Sequence, residues 1–468
     1  MNKKTFQQLI RVFQAALSRQ SLRWLILFLL VGAISIPFAP QTPVHAESTC
    51  VSSAPVTGAY TVTVCVANPA NGNPLTGDST ITATASVNPA PIPGAANPFQ
   101  KVIFYLGGEY LLTDFQAPYT FLLPTTQWVD GNYSLSVEAY TRDGFVSNKA
   151  GITIMLDNGI YTTPVNTKMF TPSMGTTPAQ SSDPLVVAAV GDGAGGETNG
   201  TNVVNLIASW KPNLFLHLGD VYDDGTYTEF YNWYGHNSQL FSQFRSITNP
   251  TVGNHEYVGG KAPGYFNYWD NVPHYYSWNS RGWHFISLDV NKEYGQTLPG
   301  TSQYAWLARD LSANSASCTL VYWHQPLFNI GKESAADLVQ EIWALLAKNK
   351  VDIVLTAHDH NYQRWVPMDG KGQPDFQGIT QFVVGTGGHG IQTFVTNDSR
   401  VAAGFDSNTS PAPFGALRLK LYKTYAAYNF INTAGTSLDS GTVGCRNITS
   451  NQNPGNGWRQ FYLPKINK

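Results

Sequence analysis

The sequence predicts a multi-domain fold in which an all-β sandwich precedes an α/β domain. Three observations carry that expectation. Residues 47–157 alternate short β-branched and aromatic runs with turns containing Gly, Pro and Asn. Beyond residue 184, continuous apolar runs alternate with helical patterns, as strands buried on both faces and their crossover helices do. Those later runs also lead, within a few residues, into Asp, Asn or His.

The chain has 468 residues, more than one hydrophobic core of roughly 250–300 residues holds. Its first segment, 1–46, reads as a signal peptide. Lys3, Lys4, Arg11, Arg19 and Arg23 precede an apolar run over 24–38 that Pro37 and Pro40 break, and Val44-His45-Ala46 offers small residues for cleavage. The run is shorter than the ~20 residues of a membrane span, although a retained anchor is the rival reading. Either way the expected location is secreted or extracellular, with cell-surface attachment as a variant. Residues 47–468 keep 23 basic and 30 acidic side chains, a balance that argues against nucleic acid as the main partner. A small phosphate substrate stays open, because bound dications would invert the local field.

Four cysteines follow the leader: Cys50, Cys65, Cys318 and Cys445. In an exported chain they suggest two disulfides with three connectivities, of which the local pairs Cys50–Cys65 and Cys318–Cys445 are the simplest. None has the spacing of a metal site.

Strand-like segments in the first domain include 60–64, 81–85 and 102–105. The stretch from Lys101 through Tyr119 and Tyr133 to Ile154 resembles the bacterial immunoglobulin-like modules found beside secreted enzymes. With no ionisable constellation in view, residues 47–157 read as a spacer, or as an attachment module for a cell surface or glycan. Residues 158–183, rich in Thr, Pro, Ser and Gly, read as a linker. The α/β domain is expected over 184–446, with 447–468 as a tail. Strands are expected at 185–190, 214–218, 319–323, 351–355, 380–384 and 416–421, and helices at 202–210, 302–311 and 335–348.

The polar exits of these runs carry the chemistry. They are Gly191-Asp192, Gly219-Asp220, Gly253-Asn254-His255-Glu256, His324-Gln325-Pro326 and His358-Asp359-His360. Carboxyl ends of strands in an open α/β sheet converge on one crevice, so donors spread along the chain would meet there. A carboxylate between two cations can bridge them, while imidazoles and an amide complete each shell without excess negative charge.

Together these motifs resemble the calcineurin-like metallophosphoesterase superfamily, and within it the purple acid phosphatases and their bacterial relatives, over roughly residues 185–432. The resemblance implies two packed mixed sheets flanked by helices. It implies two divalent or trivalent metal ions (Fe, Zn, Mn or Mg), with Asp220 bridging them. Asp192 and His360 would hold the first, and Asn254, His324 and His358 the second. His255 would stay off the metals and protonate the leaving oxygen, while a metal-bound hydroxide attacks phosphorus. Two positions depart from the pattern. Ala194 stands where the wider superfamily has His, and the Tyr that purple acid phosphatases place three residues after the bridging Asp sits at the second, Tyr222. Tyr222, Asp223 or water would complete the first shell, with Tyr222 favoured.

The remaining histidines divide by context. His217 and His284 lie in apolar runs and read as hydrogen-bonded core residues, and His236 and His274 have no supporting context. His389, in Gly387-Gly388-His389-Gly390, is a candidate substrate contact. Tyr257, Tyr362 and Trp365 read as packing, and Arg364 as a salt-bridge partner that orients its loop. The expected function is a phosphomonoesterase of acid-phosphatase character acting on a small phosphate ester. A phosphodiesterase or nucleotidase with the same cage is the alternative within enzymes. An adhesion or glycan-binding protein with a vestigial metal domain is the alternative of another class.

Overall fold

The structure, a computed structural model, describes residues 49–177, 183–333 and 336–447. The expected signal segment and nearly all of the expected tail lie outside the described residues. No helix among the described residues is long and apolar enough to cross a membrane.

Two sheets form the N-terminal sandwich, antiparallel throughout except where Pro74–Leu75 runs parallel to Ala150–Leu156. One orders Cys50–Ser53, Thr61–Asn68, Asp78–Asn88 and Tyr119–Pro124. The other orders Pro74–Leu75, Ala150–Leu156, Gly131–Thr141, Phe99–Leu106 and Glu109–Asp114. Alternation explains why they face each other: in Thr61–Asn68 the residues Val62, Val64 and Val66 are buried while their neighbours are not. Cys50 and Cys65 stand opposite each other in register and are joined by a disulfide.

The second domain packs two mixed sheets face to face. The first orders Thr248–Pro250, Leu214–His217, Leu185–Val190, Gly415–Leu421, Tyr425–Asn432 and Ser437–Gly444. The second orders Tyr276–Ser280, Trp283–Ser287, Cys318–Tyr322, Ile353–Thr356, Thr380–Val384, Tyr362–Trp365 and Val401–Phe405. A continuous core between them joins Val187, Leu216 and Leu417 to Phe285, Leu320, Leu355 and Phe382. Helices Ser302–Ala313 and Gln340–Lys348 cover the outer face of the second sheet through Leu307, Leu311, Ile342 and Leu346. Both show apolar residues at helical spacing, which is why the sequence revealed them. The helix at Thr198–Ser209 begins four residues earlier than expected. A second disulfide joins Cys318, which opens one sheet's strand, to Cys445, which follows the last strand of the other.

Residues 158–177 contain no helix or strand, yet they are tied down. Asn166 donates to the Asn267 carbonyl (2.7 Å), and Asn249 accepts from the Ser173 amide (2.7 Å). The sandwich also presses on the α/β domain. Trp233 packs against both cores and donates to the Thr113 carbonyl (3.1 Å), and Asn232 exchanges two hydrogen bonds with Leu122.

Candidate metal centre

Parallel pairing places the exits of Leu185–Val190, Leu214–His217 and Thr248–Pro250 at one end of the first sheet. The exits of Cys318–Tyr322 and Ile353–Thr356 share one end of the second. The donors meet between them. Backbone strain marks the turns: Asp192, Asp220 and His358 all have left-handed φ, at 59°, 66° and 71°. Such conformations cost free energy in non-glycine residues and persist where the surroundings over-determine them. Gly253 is required for close approach, because a Cβ there would stand 2.0 Å from Asp220 Oδ1.

His324 Nε2 lies 3.0 Å from Asp220 Oδ2, and ligand atoms of Asp220, His324 and His358 all fall within 4.8 Å of one another. The Tyr222 hydroxyl sits 2.9 Å from His360 Nε2 and donates to Asp192 Oδ1 at 2.7 Å. His360 Nε2 is 3.6 Å from Asp192 Oδ1, and the His358 amide donates to Asp192 Oδ2 (2.9 Å). The next residue after Asn254, His255, donates its amide to Asp220 Oδ1 (3.0 Å) and holds Nε2 4.0 Å from Asp220 Oδ2. Asp192, Asp220, Tyr222, His324, His358 and His360 are therefore brought to one place, with His255 beside them and Asn254 in the loop between Gly253 and His255.

The donor set fits cations. His324 Nδ1 donates to the Leu218 carbonyl (2.7 Å) and His360 Nδ1 to that of Gly390 (3.0 Å). Each tautomer then leaves a lone pair on Nε2 directed inward, as metal-binding imidazoles require. The 3.0 Å approach of His324 Nε2 to Asp220 lacks hydrogen-bond geometry, and Asn254 Oδ1 is buried with no protein partner. Orphaned polar atoms in such a cluster call for a ligand.

Electrostatics point the same way. Burial raises Asp192 above the usual carboxylate range. In Asp220 burial works upward too, but His324 and His255 outweigh it and hold the group well below that range. Burial and the neighbouring His324 push His358 down to about 3. Positive charge is in demand at Asp220 while His358 resists a proton, and a cation satisfies both.

The sequence assigned no role to Glu256 or Glu197. Glu256 is fully buried and accepts from the amides of Gly253 (2.6 Å), Val221 (2.8 Å) and Asp220 (3.3 Å), clamping two motif loops together. Burial and the Asp220 carboxylate push it up to about 8. Glu197 takes the Nδ1–H of His389, whose ring stacks on Tyr222 with centroids 4.0 Å apart and meets Phe115 of the sandwich edge-on. His389 thus stands over the centre, partly exposed.

Asp223, the alternative to Tyr222, turns away from the cage and pairs with Lys101 (2.8 Å). Asp359 points toward Gly331 and Asn361 rather than into the cage. The expectation of a hydrogen-bonded core residue holds for His284, which binds Asn279 and Asp310, each within 2.8 Å. His217 needs correction: it is buried among Phe215, Tyr234 and Phe241, and its Nε2 has no partner. Three aromatic rings pack against the imidazole, and burial drives its pKa down to about 3. His274 has context that the sequence hid, a 2.7 Å contact with buried Asp289 shared by Tyr257. Arg364 pairs with Asp439 through two hydrogen bonds. From the sandwich, Lys101 reaches Asp223 in the loop after Asp220, and Tyr110 reaches Glu229 in the short helix that follows it.

Residues 185–362 match the calcineurin-like phosphoesterases, and residues 63–137 match the bacterial Ig domains. The chain is therefore an immunoglobulin-like domain followed by a calcineurin-like metallophosphoesterase domain. Its curated relatives are purple acid phosphatases of Arabidopsis thaliana. Probable purple acid phosphatase 20 is 27% identical over 39% of this chain and 47% of its own length. Probable inactive purple acid phosphatase 9 is 24% identical over 35% of this chain and 31% of its own. Purple acid phosphatase 18 is 31% identical over 25% of this chain and 27% of its own. The chain thus spans less than half the length of these relatives. A purple acid phosphatase from yellow lupin (Lupinus luteus) seeds superposes with a TM-score of 0.46 at 16% identity, covering 82% of this chain and 79% of that one.

Proposed function

We propose that the protein is an exported, dimetal-dependent phosphoesterase that hydrolyses phosphate monoesters. The observation that carries this reading is the convergence of Asp220, His324 and His358 with the Asp192–Tyr222–His360 group around one buried point. In it, Asp192, Tyr222 and His360 would hold one cation, Asn254, His324 and His358 would hold the other, and Asp220 would serve both. When bound, the cations polarise phosphate oxygens and acidify water. His255 approaches from the accessible side, 28% exposed, with Nε2 available to give a proton to the leaving oxygen. His389, fixed by Glu197 and stacked on Tyr222, is placed to contact the ester. Two disulfides and the leader-like first segment support export.

The test is turnover of 4-nitrophenyl phosphate against its bis ester, alongside elemental analysis of the natively purified protein. Two ions per chain and faster monoester hydrolysis are expected. Two bound ions with no turnover of either ester would reject the enzyme, and faster bis-ester cleavage would reassign it as a diesterase.

A further inference from the structure

We propose that the immunoglobulin-like domain is a working part of the catalytic site, and that its Lys101 is a positioning residue for His255. This rests on the phosphoesterase reading above.

The observations form a chain of contacts. Lys101 lies in strand Phe99–Leu106, and its Nζ is 2.8 Å from Asp223 Oδ2. The ammonium also stands 5.5 Å from the Tyr140 ring centroid and 6.0 Å from that of Phe115, so aromatic faces limit where it can go. Asp223 in turn holds His255. Its carbonyl accepts from His255 Nδ1, and its Oδ1 lies 3.6 Å from the same nitrogen. That bond decides which way Nε2 points, toward Asp220 Oδ2 at 4.0 Å.

The backbone of Asp223 is gripped from the same side. Its amide donates to Glu229, a fully buried carboxylate that also accepts from the Asp224 amide (3.1 Å), the Thr226 amide (3.0 Å), the Tyr110 hydroxyl and the Thr113 amide (3.3 Å). Tyr110 and Thr113 belong to strand Glu109–Asp114 of the sandwich. The Thr226 hydroxyl closes the junction on the Leu111 carbonyl (2.7 Å). The loop that orients His255 is therefore held at its carboxylate by Lys101 of the first domain and at its amide by Glu229, which Tyr110 and Thr113 of the first domain bind in turn. A partly exposed imidazole keeps one orientation only when its partners are themselves held, which is the part Lys101 plays.

Leaving groups supply the test. A good leaving group such as 4-nitrophenolate departs without a proton, whereas an alkoxide needs one. In Lys101→Met, kcat on an alkyl phosphate should fall about 10- to 100-fold, and on 4-nitrophenyl phosphate no more than about threefold. KM and metal content should stay unchanged, and Lys101→Arg should restore alkyl phosphate turnover. Asp223→Asn, which severs the same ion pair, should reproduce the selectivity if Lys101→Met folds poorly. A second readout needs no metal or turnover. The hydrogen-bonded Nδ1–H resonance of His255, assigned with His255→Ala, should be present in the metal-free protein and lost in Lys101→Met. Equal losses on both esters, an effect confined to KM, or an unchanged resonance would overturn the proposal. If the unaltered protein turned over neither ester, the phosphoesterase reading would fail, while the resonance would still decide whether Lys101 positions His255.

Discussion

The Tyr222 hydroxyl donates to Asp192 Oδ1 across 2.7 Å, and with the Tyr222 amide on the Ala194 carbonyl (2.8 Å) it joins the loop after one strand to the loop after its neighbour. Burial and the Asp192 carboxylate hold the phenol well above its ordinary pKa, so as a ligand it would need a strongly Lewis-acidic partner to ionise. Loaded with ferric iron, the protein should therefore show a tyrosinate charge-transfer band in its visible spectrum. Tyr222→Phe should abolish that band and Asp223→Asn should leave it in place. A band that survives loss of the Tyr222 hydroxyl would remove this residue from the first shell.

Asn254 and His358 test the cage itself. Replacing either by Ala should cost at least about a hundredfold in turnover, because even outer partners of ligands are worth 10–100-fold. Elemental analysis should show loss of one ion, while near-ultraviolet circular dichroism stays native. Normal metal content in both variants would show that the second site is elsewhere.

His255→Ala should separate rate from binding. Its Nε2 stands 4.0 Å from Asp220 Oδ2 and its ring packs against that of Tyr222 rather than sharing a donor position, so both ions should remain. Turnover should drop by about 10²–10⁴, the range that general acid–base groups supply. Loss of a metal ion in this variant would make His255 a ligand instead of a proton donor.

Glu229 gives the domain junction a pH signature. Burial is the largest influence on it and pushes the folded-state value from 4.5 up to about 7, against hydrogen bonds from Tyr110 and the Thr226 and Asp223 amides. The folded protein thus keeps a proton that the unfolded chain has already released, and stability falls as pH rises from about 4.5 to about 7. Thermal unfolding midpoints measured between about pH 5 and about pH 8 should decline, and Glu229→Gln should flatten that decline. An identical slope in the variant would assign the dependence to other groups.

Much of this molecule was legible before any contact was known. Leu185–Val190 and Thr380–Val384 were bounded correctly because uninterrupted apolar runs mark strands covered on both faces. The five polar exits were legible for a related reason: a strand's end commits the next residues to the sheet's rim. Even the pairing of Cys318 with Cys445 was the simplest reading of four cysteines. Helix starts were less clear, as at Thr198, where the first turn is Thr-Asn-Gly and carries no apolar periodicity.

By itself, then, the sequence determined the order of the two domains, six of the strands that build the second sheet pair, and the Asp, Asn and His positions at the ends of its apolar runs. These follow from preferences and periodicities carried by residues close together in the chain. Only the tertiary structure decided that Tyr222 turns into the cage while Asp223 turns out to Lys101, a partner 122 residues away. It alone joined His389 to Glu197 across 192 residues and made the first domain a wall of the site. The physical reason is that a side chain's partner across such a distance is set by how two packed layers and a third body meet, and no local pattern records that meeting.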